Sequence, residues 1–286
     1  MASQVLSEGG VGPLLRRWRS VRRLSQLELA LQAGVSARHL SFLETGRAQP
    51  SREMVLLLGG VLGVPLREQN ALLQAAGYAS LYRETSLDDP QMAGIRQALE
   101  LILRRHEPFA AVVLDRHWNL LLANEGYSSL WNLLGGPAGP KIRAYELIGR
   151  PRPNVLQALF DPSGLRAHIA NWQELAHQLV QRVQREAYAT DDDETRRLLR
   201  DLLAFPGVPA RWREPDVALA PRLVVPVELM LGADRVRFFS TLTTLGAPQD
   251  ITLHELRIEA FHPADAETEQ RFRTGGSPDP SGPQKP

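Results

Sequence analysis

The sequence predicts two domains of different class: an all-α domain over residues 11–83, then an α+β domain with a mostly antiparallel sheet over residues 91–273. Three observations carry this. Five short amphipathic segments with cap residues at their ends fill the first part. From residue 109 the apolar pattern changes from a helical period to strand-like runs separated by turn residues. Charge divides in the same region: residues 11–83 hold ten arginines and four glutamates, net +6, whereas residues 84–286 are net −4. A polar, proline-bearing hinge at 84–90 ("ETSLDDP") is the expected boundary. The Pro/Gly/Ser-rich tail 274–286 is expected to be disordered.

The first helix is expected over 13–23, with Leu14, Trp18 and Val21 on one stripe. The second, 25–33, opens on a capping box of Ser25 and Glu28. The third, 36–45, is stopped by Gly46. The fourth, 51–62, is capped by Ser51, and the fifth, 66–76, lies between Pro65 and Gly77. An amphipathic helix follows the hinge at 91–105. "FAAVVLDRHWNLLLAN", from Phe109, reads as a β-hairpin turning at 115–117, with Asp115 and Asn119 suited to the turn and Asn124 placed to cap the helix "EGYSSLWNLL". "GGPAGPK" is a loop. A long helical stretch is expected over about 154–189 and another helix over 192–204. Strands are expected in "RLVVPVELMLG", "RVRFFSTLTTLG" and, last, "ITLHELRIEAFHPAD".

"GVSARHLSFLETGRAQPS", from Gly34, meets the steric requirements of a helix-turn-helix. Ala30 is small where a second helix must cross. Gly34 permits positive φ in the turn, and Val35 plugs the angle behind it. Leu40 and Leu43 form the buried stripe of the second helix. Ala37, Arg38, Ser41 and Phe42 are left on its opposite face. Arginine to guanine is the commonest specific major-groove contact, and Ala37 and Phe42 suit a thymine methyl. Gln26, at a helix N-terminus, suits a phosphate, and Arg47 follows the recognition helix within reach of the backbone. The candidate DNA-contacting residues are therefore Gln26, Ser36, Ala37, Arg38, His39, Ser41, Phe42 and Arg47. Phe42 packing inward and His39 serving only to cap packing are the competing readings.

Other chemistry is sparse. The chain has no cysteine, so disulfides, thiolate catalysis and cysteine-type zinc sites are excluded. Lys141 and Lys285 are the only lysines and no phosphate-binding loop is present. Neither H-E-x-x-H nor G-x-S-x-G occurs. The acidic run at 191–194 suits the N-terminus of the helix that follows better than a metal. His168 and His177 are nine residues apart on the expected long helix, too far for one ion. Glu255 and Glu259 fall in the last expected strand with no partnered acid–base role. No enzyme is expected, nor an obligatory cofactor. The first thirty residues lack an uncharged apolar run and no stretch is long enough to span a membrane, so the expected location is the cytoplasm.

Residues 24–64 resemble the Xre/Cro-type helix-turn-helix domain, through LSQ, LA, AGVS, LS.LE.GR and PS at matching spacings. That resemblance implies an ion pair between Glu44 and Arg19. "VLDRHWNLLLANEGYSSLW" resembles the first hairpin and helix of a PAS-like domain. Over about 12–273 the chain resembles the MmyB-like transcription regulators, through "RHLSFLETGRAQPSREMV", "QAAGYASLYRETSLDDP", "VVLDRHWNLLLAN" and "FFSTLTTLGAPQDITLHELRIEAFHPADAET". It departs at "RWREPDVALAPRLVVPVEL", where some members carry a histidine–proline strand motif and a Trp-x-x-His-Asp segment.

The resemblance implies a bacterial transcription regulator in which a PAS-like ligand-binding domain follows the DNA reader, with a fatty-acid-like ligand as effector. The expected partners are double-stranded DNA, read by a homodimer at a roughly palindromic operator, and an apolar small molecule. Phe109, Val113, Trp131, Trp172, Phe239 and Leu242 are the candidates to line its pocket, with Arg143, His168 or Ser240 at a polar end. Ordinary core packing is the competing role of each aromatic. The competing function is a regulator whose second domain only dimerises or binds a protein partner.

Overall fold

Helices of eight to eleven residues are marginal alone in water, and those of the N-terminal region are held by a shared core. They are α1 (Val11–Val21), α2 (Gln26–Ala33), α3 (Ala37–Glu44), α4 (Arg52–Val61) and α5 (Leu66–Ala75). The computed structural model describes residues 10–135, 153–190, 192–214, 225–246 and 248–274. Its contacts divide the chain into two units: residues 1–86 with 245–254, and residues 87–244 with 255–286.

In the first unit Leu15, Leu29, Leu40, Leu43, Leu58, Leu72 and Leu73 are fully buried, each stabilising by about 1.5–3 kcal/mol relative to exposure. The expected caps form. Ser25 accepts the Glu28 N–H at 3.2 Å while the Glu28 carboxylate accepts the Ser25 N–H at 2.7 Å. Ser36 and Ser51 accept the N–H groups of His39 and Met54. Gly34 ends α2 at φ 65°, the left-handed region that favours glycine. At Gly12 a Cβ would lie 2.6 Å from the Leu43 carbonyl oxygen, so α1 and α3 touch backbone to backbone.

Residues 245–254 group with this unit, although the sequence reading keeps all of 91–273 in one domain. The Thr85 hydroxyl donates to the Asp250 carboxylate at 2.7 Å, and the Ile251 N–H donates to the Arg83 carbonyl at 2.8 Å. "ITLHE", read as the start of a strand, is instead the short helix α11 (Ile251–Glu255). Asp250 accepts the Thr252 N–H at 2.9 Å, a side-chain bond that favours a helical turn over a ladder.

The second unit holds α6 (Ala93–Arg105), β1 (Ala111–Leu114), β2 (Leu120–Ala123), α7 (Glu125–Gly135), α8 (Val155–Phe160), α9 (Trp172–Ala189), α10 (Asp193–Ala204), β3 (Val227–Leu231), β4 (Asp234–Thr243), β5 (Arg257–Pro263) and α12 (Ala266–Arg273). The long helix expected over 154–189 is broken. Asp161-Pro162-Ser163-Gly164 ends α8, and a 3-10 turn at Leu165–His168 precedes α9, because proline and glycine both oppose helix continuation.

The five strands form one antiparallel sheet in the order β2-β1-β5-β4-β3, which is the PAS order. The last strand in sequence is therefore the central strand in space. Val112 pairs with Glu259, Leu242 with Glu259, and Ser240 with Phe261. Directly paired residues share a face, so Val112, Leu242, Ser240, Glu259 and Phe261 lie on one side. That side carries the core residues Leu114, Val236 and Phe238 and is the inner face.

Candidate functional sites

The recognition helix is pinned from beneath. Glu44, the last residue of α3, has only 2% of its side chain exposed. Arg19 of α1 grips it with both ends of the guanidinium, Nε to Oε1 at 2.6 Å and Nη2 to Oε2 at 2.9 Å. Arg19 Nη1 also donates to the Leu24 carbonyl at 2.8 Å, and Gln26 donates to Glu44 Oε2 at 2.8 Å. Burial pushes the Glu44 carboxyl up, but the bonds from Arg19 and Gln26 and the charge of Arg19 outweigh it, leaving the group below the usual carboxylate range. The bond to Glu44 likewise raises the Arg19 guanidinium. One carboxylate thus ties together α1, the start of α2 and the end of α3.

The opposite side of α3 is open. Arg38 is exposed, and Ala37, His39, Ser41 and Phe42 are half-buried. The Arg38 guanidinium lies 5.4 Å from the centre of the Phe42 ring, a cation–π pair one helical turn apart. Arg47 follows Gly46 and is exposed, its N–H returning to the Phe42 carbonyl at 2.8 Å.

In the second unit the β1–β2 turn forms as read. Asp115 Oδ1 accepts the N–H groups of His117 at 2.8 Å and Asn119 at 2.9 Å. Trp118 in that turn has φ 68° and is buried. A bulky residue in the left-handed region costs of order 1–3 kcal/mol and marks an over-determined position. Its ring lies 4.8 Å from the guanidinium of Arg182 and 5.3 Å from that of Arg257. Both arginines pair with Glu186, Arg257 at 3.0 Å and Arg182 at 3.3 Å. Asn124 is fully buried and ties the start of α7 to β1 and to the segment that leads into it. Its Oδ1 caps α7 at the Tyr127 N–H and accepts the Ala111 N–H, both at 2.9 Å, and its Nδ2 donates to the Phe109 carbonyl at 2.8 Å.

A helix-turn-helix family model matches residues 15–69. The model of the MmyB-like transcription regulator ligand binding domain matches residues 95–274, well over half the chain. The chain belongs to the MmyB-like transcription regulators. It is a DNA-binding regulator with a ligand-binding domain, and both matched families are regulatory modules rather than enzymes. Among solved structures, an RNA-binding light-oxygen-voltage receptor is similar at 12% identity and a TM-score of 0.24, over 96% of this chain and 64% of that one. No curated protein matches the chain.

The structure distributes the candidate residues of this MmyB-like regulator unevenly. Ser36, Ala37, Arg38, His39, Ser41, Phe42 and Arg47 lie on or beside α3 as read. The position of Gln26 in the sequence predicts a phosphate contact, but its amide points to Glu44. Val113 and Phe239 alternate with Val112 and Ser240, so they lie on the outer face of the sheet and cannot share an inner pocket with Ser240 and Leu242. Phe239 stacks on His262 at 5.1 Å. Phe109 and Trp172 are core: Trp172 packs against Phe160 and Trp212, lies under Arg166 at 3.6 Å, and donates its indole N–H to the Leu159 carbonyl at 3.0 Å. Trp131, half-buried on α7, meets Tyr127 edge to face at 6.1 Å. His168 is half-buried in the 3-10 turn, and Arg143 lies outside the described residues.

The acidic run is a helix start. Asp192 caps α10 at the Thr195 N–H, 3.1 Å, and binds Arg116 at 3.0 Å and His117 at 2.7 Å. Among the described residues no cluster has metal-ligand character, and no helix is long and apolar enough to cross a membrane. Glu259, expected in the last strand without an acid–base role, carries a signal of its own in the sequence: it is a lone acid in the alternating strand "RIEAF".

Proposed function

We propose that this MmyB-like regulator binds a roughly palindromic operator as a homodimer and that an apolar, fatty-acid-like molecule held against the inner face of its PAS-like sheet sets the affinity for DNA. The observation that carries the ligand half is the uneven filling of that face. Val112, Val236 and Phe238 are buried to 2% exposure or less, whereas Leu242, Phe261 and Ser240 on the same side keep open surface. Well-filled cores leave few such gaps, and ligand sites are mostly apolar with a few placed polar groups. The DNA half rests on α3, whose open side carries Arg38 stacked on Phe42 and is followed by Arg47. No cofactor is required by this reading.

Organic extraction of the purified full chain, followed by mass spectrometry, tests the ligand. A co-purifying acyl compound is expected. A melting series over straight-chain acids of increasing length should then rise, at about 0.8 kcal/mol of binding per buried CH₂. If nothing co-purifies and no chain length moves the melt, the second domain is a dimerisation module instead.

A further inference from the structure

The middle of the central strand is the least expected place for a carboxylate. Glu259 occupies it, paired across β5 with Val112 on one side and Leu242 on the other. Both neighbours are apolar and all three face inward. Glu259 is half-buried there. Ser240 lies on the adjacent strand and the same face, two residues along β4 from Leu242. Ser240 itself is open. No ion pair of Glu259 forms among the described residues, because the nearby cations Arg257 and Arg182 are both turned to Glu186. A carboxyl set between apolar neighbours without a cation is costly unless it is neutral and hydrogen-bonded, which is a reason to look for the group it serves.

We propose that Glu259 and Ser240 form the polar end of the ligand site and select an apolar chain ending in a protic oxygen head, a carboxylic acid or an alcohol, over an aprotic one such as an ester. This rests on the ligand-sensing reading above and deepens it. The neutral carboxyl of Glu259 donates to the head and accepts from it, while Ser240 holds the second oxygen of the side chain.

The surroundings agree. Burial pushes the Glu259 carboxyl above the usual range, against the Ser240 hydrogen bond and the charges of Arg182 and Arg257. The facing groups are Tyr127 on α7, Arg182 and Glu186 on α9, and Arg257 on β5; the flanking residues of β1 and β4 are uncharged. Tyr127 is pushed up to about 12 by burial, against a hydrogen bond from Trp131, and stays neutral. With an acid ligand, donating and accepting together require a proton on each carboxyl. Binding such a ligand therefore weakens as pH rises and either proton is lost, whereas binding an alcohol changes less.

The test is calorimetry on the full-length chain with decanoic, dodecanoic and hexadecanoic acids, the matching alcohols and the matching methyl esters, at about pH 6 and about pH 8. Acid and alcohol should exceed the ester by roughly tenfold at the lower pH, the worth of one or two buried hydrogen bonds. The acid should lose much of that margin at the higher pH. Glu259→Gln donates without titrating, so it should keep acid binding at the higher pH. Ser240→Ala, at an open position, should lower acid and alcohol affinity severalfold and leave the ester unchanged, which keeps the proposal testable should the Glu259 variant not fold. If the ester binds the wild-type protein as tightly as the acid, the head assignment fails and the sensor reading stands. If no probe binds at all, the sensor reading falls and this inference with it.

Discussion

Arg19 and Glu44 are 25 residues apart in sequence and form a two-pronged ion pair at 2.6 and 2.9 Å beneath the recognition helix. Arg19 is 13% exposed and Glu44 2%. Removing one partner from such a pair leaves a buried charge alone, which costs about 3–5 kcal/mol. Glu44→Ala should therefore lower the melting temperature of the DNA-binding unit sharply. The double change Arg19→Met with Glu44→Leu should recover much of the loss. Thermal melts of the three variants decide it, and a neutral Glu44→Ala would remove the pair from any role in stability.

The same pair sets a pH dependence. The Glu44 carboxyl is lower in the folded chain than its ordinary value of 4.5. A depressed carboxyl contributes stability that is present above its unfolded value and is lost as pH falls through its folded one. Acidification below about 4.5 should therefore weaken the first unit, and Glu44→Gln should show a flatter acid limb from a lower starting stability. Denaturant midpoints measured over a pH series check the slope.

DNA recognition divides between two arginines with different work. Arg38→Ala should cost about 1–3 kcal/mol at its preferred base pair and relax preference there. Arg47→Ala should weaken all sequences alike and reduce the salt slope by about one unit. Binding over a salt series to a selected operator and to scrambled DNA separates the two. Unchanged sequence preference in Arg38→Ala would mean that α3 is not the base-reading helix.

Two glycines should respond oppositely to the same substitution. At Gly12 a Cβ meets the backbone oxygens of Leu43 and Glu44 at 2.6 and 2.7 Å, and backbone gives way poorly, so Gly12→Ala should destabilise by about 1–3 kcal/mol. At Gly60, inside α4, nothing lies within 4 Å. Gly60→Ala should stabilise by about 0.5–1 kcal/mol through helix propensity and backbone entropy. Melts of the two variants side by side test the α1–α3 approach.

Local chemistry accounts for what could be read in advance. Ser25, Ser36 and Ser51 act on N–H groups three residues away, Gly34 supplies its own positive φ, and Asp115 closes its turn within four residues. Effects of that range are written in adjacent letters, and so the helix-turn-helix, its open face with Arg38 and Phe42, and the first hairpin were legible. The Glu44–Arg19 pair was reached only through family resemblance, since nothing local joins residues 25 apart. Period-two alternation in a strand was equally legible and bars Phe239 and Ser240 from one face, a constraint that the candidate pocket did not respect.

Three features depended on strand order and helix packing. The placing of β5 at the centre of the sheet, which carries Glu259 to the inner face between Val112 and Leu242, follows from pairings with a strand 143 to 149 residues earlier. Gly12 matters only because α3 crosses α1 there. Residues 245–254 join the first unit through Thr85 and Asp250, 165 residues apart. Each depends on which distant segments meet, and that is settled by how the apolar faces of all the elements are buried together, a property no short window of sequence contains.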